Sequence, residues 1–247
     1  MRLLRGIHTA YGSLIFLLLF VIFFFPLLVP ILFPGKFSWV GTINRWWAKL
    51  LFILVVLPYK VESRASLDKK KQYIFCPNHF SYLDIPTMGL NPVNTIFVGK
   101  NDMEKVPFFG FMYKKLHITV DRKKLRSKAE TIIKSRQAID DGKSLVIYPE
   151  GGVYTRKAPE MVAFKDGAFR LAIEKQIAVV PVTIPFNWII LPGDEFLLRQ
   201  GSVQVIFHEP IETRGMTLAD VDHLKQQVFN TIETELRIKN ENRQTAS

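Results

Sequence analysis

The chain has 247 residues, 48% of them hydrophobic, and a formal net charge of +11 from 33 basic and 22 acidic side chains. This length allows one large α/β domain and a smaller appendage. The single cysteine, Cys76, excludes an intrachain disulfide framework and a cysteine zinc site. The basic charge favours anionic lipid head groups or acidic soluble partners over nucleic acid, because no nucleic-acid-binding module accompanies it.

The apolar residues concentrate in the first 60 positions. Residues 14–33 contain no charged side chain, and this run is long enough to cross a hydrocarbon core about 30 Å thick. Pro26 and Pro30 interrupt the run, which argues against one straight spanning helix. A second apolar run, at 46–57, is too short to span, and it begins with tryptophans, which favour the membrane interface. We therefore interpret 1–60 as a membrane-embedded helical hairpin that enters one leaflet, with a single kinked span as the alternative.

After residue 60, strand and helix signals alternate. Short strands are predicted at 73–76, 95–98, 117–120, 144–148, 178–184 and 203–208, and helices at 127–141, 167–175 and 220–237. This alternation predicts an α/β fold with a mixed, mostly parallel sheet flanked by helices, preceded by the N-terminal hairpin. We expect the α/β domain to cover 61–240 and residues 241–247 to form a polar tail.

The stretch at 78–84 reads NHFSYLD and follows a predicted strand directly. Its imidazole, His79, can take a proton near neutral pH, and a carboxylate such as Asp84 can fix its tautomer and stabilise the imidazolium. On a straight helix the two side chains would point about 140° apart, so they can meet only in a turn that leads into a helix. Pro86 supports such a turn, since proline is tolerated in the first helical turn. The alternative is an S-x-x-D capping pattern, in which Asp84 serves only the helix start.

A second polar cluster follows the strand predicted at 144–148, where residues 145–152 read LVIYPEGG. Paired glycines bring backbone N–H groups close to a ligand, where these groups can hold a phosphate or an oxyanion. Glu150 would lie at the carboxyl edge of the sheet, where α/β proteins usually bind ligands. The alternative is an ordinary turn from a strand into a loop.

Other nucleophile and metal patterns are weaker. Cys76 is close in sequence to His79, but it lies in an apolar strand-like run, which favours a buried structural thiol over a nucleophile. No H-x-x-H or H-E-x-x-H spacing is present, so the sequence gives no support for a histidine metal site.

Taken together, these blocks resemble the glycerolipid acyltransferase family, whose best-known members are the bacterial 1-acyl-sn-glycerol-3-phosphate acyltransferases. The matching stretches are, in chain order, NHFSYLD at 78–84, GKNDMEKVPFFG at 99–110 leading to VDR at 120–122, YPEGG at 148–152, FKDGAF at 164–169 and VVPVTI at 179–184. The first of them carries the H-x-x-x-x-D motif. Several blocks in the family's order are far more specific than any one of them.

The resemblance implies a reaction and a location. His79 would deprotonate the sn-2 hydroxyl of a lysophosphatidic acid, which attacks the thioester of acyl-CoA or acyl-carrier protein, and Asp84 would orient His79. Glu150 would hold the glycerol portion, and backbone donors near Gly151 and Gly152 would stabilise the oxyanion. No metal, redox cofactor or covalent acyl-enzyme is implied. The expected location is a bacterial inner membrane, with the active site facing the cytoplasm and phosphatidic acid as the product.

The acceptor phosphate has several candidate ligands. Arg122 is the first choice, because a guanidinium binds phosphate oxygens in a bidentate fork. Lys100 and Lys165 are further candidates, although either could be a solvated surface lysine. The family's third block usually reads P-E-G-T-R, but residues 149–156 read PEGGVYTR, so the arginine is displaced by three residues to Arg156. Arg156 can then reach the phosphate only through a rearranged loop.

Because the arginine is displaced, the sequence does not fix the identity of the acyl acceptor. Lysophosphatidic acid, glycerol-3-phosphate, another lysophospholipid and an amino-lipid with a free hydroxyl all fit the pattern. A hydrolase that uses the same His-Asp pair is one rival interpretation. A non-enzymatic, membrane-anchored lipid-binding protein with a degenerate site is the other.

Overall fold

The computed structural model describes residues 2–100, 108–121 and 125–245, apart from the side chains of Lys100, Leu125 and Lys128. The chain begins with the predicted helical hairpin, in which helix α1 (Arg2–Leu32) is followed by a short 3-10 helix (Pro34–Lys36) and helix α2 (Trp39–Leu54).

Helix α1 does not break at its two prolines. It continues through Pro26 and Pro30, contrary to the interruption predicted from the sequence. Proline removes a helical hydrogen bond, but Leu27 packs in one apolar cluster with Val40 of α2, and this contact supports the end of the helix. Packing between the two helices therefore overrides the local effect of the prolines.

Strands and helices alternate through the rest of the chain. They are β1 (Tyr59–Ser63), β2 (Ile74–Pro77), α3 (Asp84–Met88), β3 (Thr95–Lys100), α4 (Phe109–Leu116), β4 (Ile118–Val120), α5 (Leu125–Asp140), β5 (Ser144–Ile147), α6 (Gly167–Lys175), β6 (Val179–Thr183), α7 (Asn187–Ile190), β7 (Val203–Phe207) and α8 (Val221–Thr245). Each predicted strand and helix is present, and only α8 extends well beyond its predicted end at residue 237. The sequence did not predict β1, α4 and α7.

The strands form one sheet in the order β1-β7-β6-β2-β5-β3-β4. Strands β6, β2, β5, β3 and β4 are parallel to one another, whereas β7 is antiparallel to β6 and β1 is parallel to β7. The predicted fold class, an α/β fold with a mixed and mostly parallel sheet, is thus confirmed. Because five neighbouring strands share one direction, their carboxyl ends and the loops that follow lie at a single edge.

Helices cover both faces of the sheet. On one face, Phe52 of α2 and Met88 of α3 pack in a cluster with Phe75 of β2. On the other face, Leu171 of α6 and Leu224 of α8 pack in a cluster with Ile74 and Cys76 of β2. Continuous burial of the strands follows from this layering, since both faces of a parallel sheet exclude water.

Helix α2 is part of the α/β core as well as the second arm of the hairpin. Phe52 is fully buried, and Arg45 donates to the main-chain oxygens of Asn91 (2.9 Å) and Pro92 (3.2 Å) ahead of β3. Gly41 packs directly on Asn94, because a Cβ at this position would lie 2.8 Å from the Asn94 Cα. The hairpin is therefore fixed to the domain that follows it.

Replacing Gly41 by valine should separate α2 from the loop before β3. We expect the free energy of unfolding to fall by about 1–3 kcal/mol, as for other overpacked positions. Thermal unfolding of detergent-solubilised protein, followed by circular dichroism, measures this loss. Gly6→Val in α1 is the matched control, since no heavy atom lies within 4 Å of an added Cβ there. Equal melting temperatures for Gly41→Val and the unmodified protein would contradict this packing account.

Candidate active site

Three loops meet at the carboxyl edge of the parallel strands. His79 follows β2, Glu150 follows the adjacent β5, and Asn187 follows β6 on the other side of β2. All three residues are buried. The sheet order therefore gathers polar side chains that are far apart in the sequence.

The predicted His-Asp pair is in contact. His79 Nδ1 lies 3.0 Å from Asp84 Oδ2. We assign the Nδ1 proton to this bond, because a carboxylate can only accept. Among the residues that the structure describes, none hydrogen-bonds the other ring nitrogen, Nε2. Neutral His79 therefore carries an unprotonated Nε2 that can accept a proton.

The S-x-x-D capping alternative is not what the structure shows, because Leu83 is the N-cap of α3 and no side chain caps the helix. Asp84 instead closes the turn that precedes the helix. Its Oδ2 accepts the backbone N–H groups of Phe80 and Ser81, each at 2.9 Å, and α3 begins at Asp84 itself. Pro86 is consequently the third residue of α3, where proline is tolerated. One carboxylate thus closes the turn before α3 and bonds the imidazole.

Tyr148 supports the imidazole from one side. Its ring stacks on the His79 ring, with centroids 3.9 Å apart and planes at 23°. Its hydroxyl donates to the main-chain oxygen of Asp84 at 3.1 Å. Burial, with a smaller contribution from the Asp84 charge, raises the pKa of Tyr148, so the phenol stays protonated. The stack limits rotation of the His79 ring. The Tyr148 hydroxyl connects the end of β5 to the first turn of α3.

Glu150 binds main-chain groups. Its Oε1 accepts the His79 N–H at 2.6 Å and its Oε2 accepts the Val162 N–H at 3.4 Å. Burial raises the pKa of Glu150 to about 7, although these two hydrogen bonds oppose the shift. The Glu150 side chain thus links the YPEGG stretch at 148–152 to the NHFSYLD stretch at 78–84. Its contact with the glycerol portion of the acceptor remains a prediction.

The glycine pair has two different roles. Gly151 has φ +77°, and its N–H closes a turn onto the oxygen of Tyr148 at 3.0 Å. A side chain there would be strained and would collide with the ammonium of Lys165. Gly152 is covered by the ring of Tyr154, which a Cβ would meet at 3.1 Å. Lys165 is exposed, and it lies directly against the predicted anion-binding turn.

The segment that displaces the arginine is bound to the first block. The Tyr154 N–H donates to the His79 oxygen at 3.1 Å, and the Thr155 hydroxyl donates to the Phe80 oxygen. Arg156 follows in a short 3-10 helix (Thr155–Lys157), and its side chain is exposed. In this rearranged loop, Arg156 directly follows Thr155, which contacts the loop that carries His79.

Two predicted phosphate ligands cannot be placed in this way. Arg122 lies outside the described residues, and Lys100 ends β3 with a side chain that is also outside them.

Conversely, sequence reasoning missed Tyr148 and Asn187 as site residues. Tyr148 could have been noticed as the residue before the P-E-G block, whereas the only signal for Asn187 is one amide in the apolar run at 184–191.

Burial disfavours the charged forms of three further reactive side chains, Cys76, His117 and His208. Cys76 lies inside β2, and burial raises the pKa of its thiol, so a thiolate nucleophile is disfavoured. Burial lowers the pKa of both His117 and His208 to about 4. Across the described ranges, no group of three or more His, Cys, Asp or Glu side chains is arranged to hold a metal ion.

Comparison with known proteins assigns the chain to a family. The family model described as Acyltransferase matches residues 58–185, which include the His79, Asp84 and Glu150 blocks. The chain belongs to the acyltransferase family. A 1-acyl-sn-glycerol-3-phosphate acyltransferase of Haemophilus influenzae is 32% identical over 201 residues, covering 78% of this chain and 80% of that protein. A chloroplastic enzyme of the same description from Arabidopsis thaliana is 32% identical over 173 residues, or 66% of this chain.

The predicted family is thus confirmed, and the matched relatives are glycerolipid acyltransferases. This acyltransferase spans only 47% of the length of the Arabidopsis protein and 50% of that of a Chlamydomonas reinhardtii relative. The crystal structure of the 1-acyl-sn-glycerophosphate (LPA) acyltransferase PlsC from Thermotoga maritima superposes with a TM-score of 0.78 at 20% identity, covering 96% of this chain and 98% of that one. That likeness extends the shared fold to the N-terminal hairpin.

The buried Glu150 carboxyl should make stability depend on pH. Between its ordinary pKa of 4.5 and about 7, the native state keeps a proton that the unfolded chain releases, so the free energy of unfolding falls as pH rises through this window. The full change is about 3 kcal/mol, at about 1.4 kcal/mol per pKa unit. Glu150→Gln should lose this dependence in chemical denaturation at pH 4.5 and 7.5. Glu160→Gln, an exposed carboxylate of the next loop, should keep it. Parallel pH profiles for Glu150→Gln and the unmodified protein would contradict the assignment.

Proposed function

We propose that this protein transfers an acyl chain from acyl-CoA or acyl-carrier protein to the sn-2 hydroxyl of 1-acyl-glycerol-3-phosphate, giving phosphatidic acid. The observation that carries the proposal is the buried contact of His79 Nδ1 with Asp84, which directs Nε2 to act as a general base. The printed names of the matched relatives support the choice of acceptor.

In the proposed reaction, His79 Nε2 takes the proton of the acceptor hydroxyl as its oxygen attacks the thioester carbonyl carbon. The C–O bond forms, the tetrahedral intermediate collapses, and the C–S bond breaks. The imidazolium then returns the proton to the leaving thiolate. Asp84 stabilises the imidazolium between these steps, because it already accepts the Nδ1 proton.

The oxyanion of the intermediate needs preorganised donors. The Gly151 N–H is used by the turn, whereas no acceptor in the described part of the chain bonds the Gly152 N–H. Gly152 N–H is therefore the proposed donor, and Gly151 supplies the turn that presents it. For the acceptor phosphate we retain Arg122, with Lys165 and Arg156 as the cations that flank the glycine pair. Lys100 remains a further candidate.

The acyltransferase should work at a membrane surface. Helix α1 is long and apolar enough to cross a bilayer. Its outer side chains are exposed: Leu3, Leu4, Ile7, Tyr11, Leu14, Leu17, Leu18, Val21, Ile22 and Phe25. An apolar surface of this extent indicates contact with lipid or another protein rather than water.

Contacts along α1 favour one leaflet over a complete span. Arg5 pairs with Glu195 of the α/β domain, and Phe24 packs against Phe108 beside α4. Positions 5 and 24 are separated by roughly 30 Å of helix, at 1.5 Å per residue. A perpendicular α1 would draw the charged α/β domain into hydrocarbon over that whole length, at a high cost in desolvation. We therefore propose that the hairpin lies along one leaflet.

Two lysine–tryptophan pairs on the hairpin fit the head-group region. Lys36 lies 5.5 Å from the Trp39 ring centroid and Lys49 lies 5.5 Å from that of Trp46, with both rings exposed. Tryptophan and lysine are both favoured at the interface, where the ring contacts acyl chains and the ammonium contacts phosphate.

The proposed active site would face the cytoplasm, because the cytoplasm holds the thioester donors.

The direct test incubates purified protein with lysophosphatidic acid and labelled acyl-CoA or acyl-carrier protein. Unmodified protein should form labelled phosphatidic acid. His79→Ala should lower turnover at least about 10²-fold, the usual contribution of a general base. His223→Ala is the matched control, since this histidine is exposed on α8 and distant in sequence from the site.

Other products would redirect the assignment. Free fatty acid without phosphatidic acid would favour the hydrolase. Transfer only to glycerol-3-phosphate, another lysophospholipid or an amino-lipid would change the acceptor while keeping the chemistry. Activity of His79→Ala within a few-fold of the unmodified protein would remove His79 as the base.

The one-leaflet arrangement predicts that both ends of the chain lie on the same side of the membrane. Epitope tags at the N-terminus and the C-terminus should be digested together when protease is added to one face of sealed vesicles. Detergent-permeabilised vesicles provide the control for complete digestion. A tag protected at one end and cleaved at the other would instead support a complete span.

A further inference from the structure

Asp84 has a partner that no motif of the family match includes. The Asn187 Nδ2 donates to Asp84 Oδ1 at 3.0 Å, on the oxygen that His79 does not use. The second Nδ2 proton goes to the Thr87 hydroxyl at 2.8 Å, and that hydroxyl donates to the Leu83 oxygen at 2.7 Å. Within the described residues, Asn187 is the sole hydrogen-bond donor to Asp84 Oδ1.

The orientation of the Asn187 amide is fixed by its neighbours. Its side chain is fully buried, and so are Asp84 and Thr87. Flipping the amide would place its oxygen against the Asp84 carboxylate, which offers no proton. The Asn187 Oδ1 has no partner among the described atoms. A buried carbonyl without a partner costs free energy, so packing alone would be better served by an apolar side chain.

We propose that Asn187 is a positioning residue for the reaction, holding the Asp84 carboxylate in the plane that orients His79. This inference rests on the proposed acyl transfer and adds a member from the β6–α7 turn to the His79–Asp84 pair. Asn187 acts only through Asp84, since its amide bonds the carboxylate and not the imidazole.

The effect on His79 has a definite sign. A carboxylate that loses a donor concentrates its charge on the remaining partners, and it therefore stabilises the imidazolium more strongly. Removing the Asn187 amide should raise the pH at which His79 takes up a proton. Among the described residues, the other ionisable groups that contact the pair are Tyr148, stacked on the imidazole, and Glu150, bonded to the His79 N–H.

The test combines a titration with kinetics. Histidine-labelled protein in detergent is titrated by NMR, and the His79 signal is assigned by its loss in His79→Ala. We expect the His79 midpoint to rise by about half a unit to one unit in Asn187→Leu. Trp188→Phe is the matched control, because it removes one hydrogen bond of the same turn, from Trp188 Nε1 to the Pro185 oxygen, without contacting Asp84.

Turnover should change in parallel. In Asn187→Leu, kcat should fall about 10- to 100-fold while the Michaelis constants of both substrates stay within about two-fold, because the loss concerns the transition state. In an Asp84→Ala background, Asn187→Leu should have no further effect on either readout. Circular dichroism and a cooperative melt establish folding, and if the leucine variant does not fold, Asn187→Ala, which leaves no side-chain donor, decides the question.

Specific results would overturn the inference. A His79 midpoint in Asn187→Leu that is unchanged or lower contradicts it, as does a fall in kcat without any shift of that midpoint. Rises in the Michaelis constants alone would make Asn187 a binding residue. If unmodified protein transfers no acyl chain to any acceptor, the proposed function fails, but the His79 titration still decides whether Asn187 acts on the pair.

Discussion

The architecture of the site depends on one buried carboxylate. Asp84 is fully excluded from water, yet its two oxygens accept from His79 Nδ1, the Phe80 and Ser81 amides and Asn187. Moving a carboxylate out of water costs several kcal/mol, which these charge-assisted hydrogen bonds must offset. The chain satisfies this requirement only when the loop after β2, the first turn of α3 and the turn after β6 are all in place. Formation of the fold therefore also orients the proposed general base.

The parallel sheet supplies the frame for that arrangement. The Asn78 amide pairs with both main-chain groups of Ile184, at 3.0 and 2.7 Å, and so joins the ends of β2 and β6. On the other side, Glu150 and Tyr154 bond the two main-chain groups of His79. His79 is thus held by its ring and by its backbone, from both neighbouring strands. An imidazole fixed in this way would need little rearrangement if a hydroxyl approached Nε2, which is what the proposed reaction requires.

Local patterns in the sequence predicted the parts of the site that local geometry creates. His79 and Asp84 are five residues apart in one turn, so their contact could be predicted from spacing, and Glu150 follows a strand that is easily recognised. Asn187 lies 103 residues from Asp84 with no motif around it, and only the order of strands reveals the contact. Strand β1 was missed because it is short, polar and exposed at the sheet edge. The continuous α1 shows the same limit, since packing against α2 outweighs the rule for Pro26 and Pro30.

The N-terminal hairpin and the proposed base belong to one packed framework. Phe52 of α2 packs in the same core cluster as Phe75 of β2, two strand residues before the His79 loop begins. The most direct measurement is an experimental structure with lysophosphatidic acid bound and no thioester donor present. The account predicts the sn-2 hydroxyl oxygen about 2.6–3.2 Å from His79 Nε2, with the His79–Asp84 contact unchanged. A bound lipid whose hydroxyl contacts another side chain, with Nε2 turned away from it, would contradict the account.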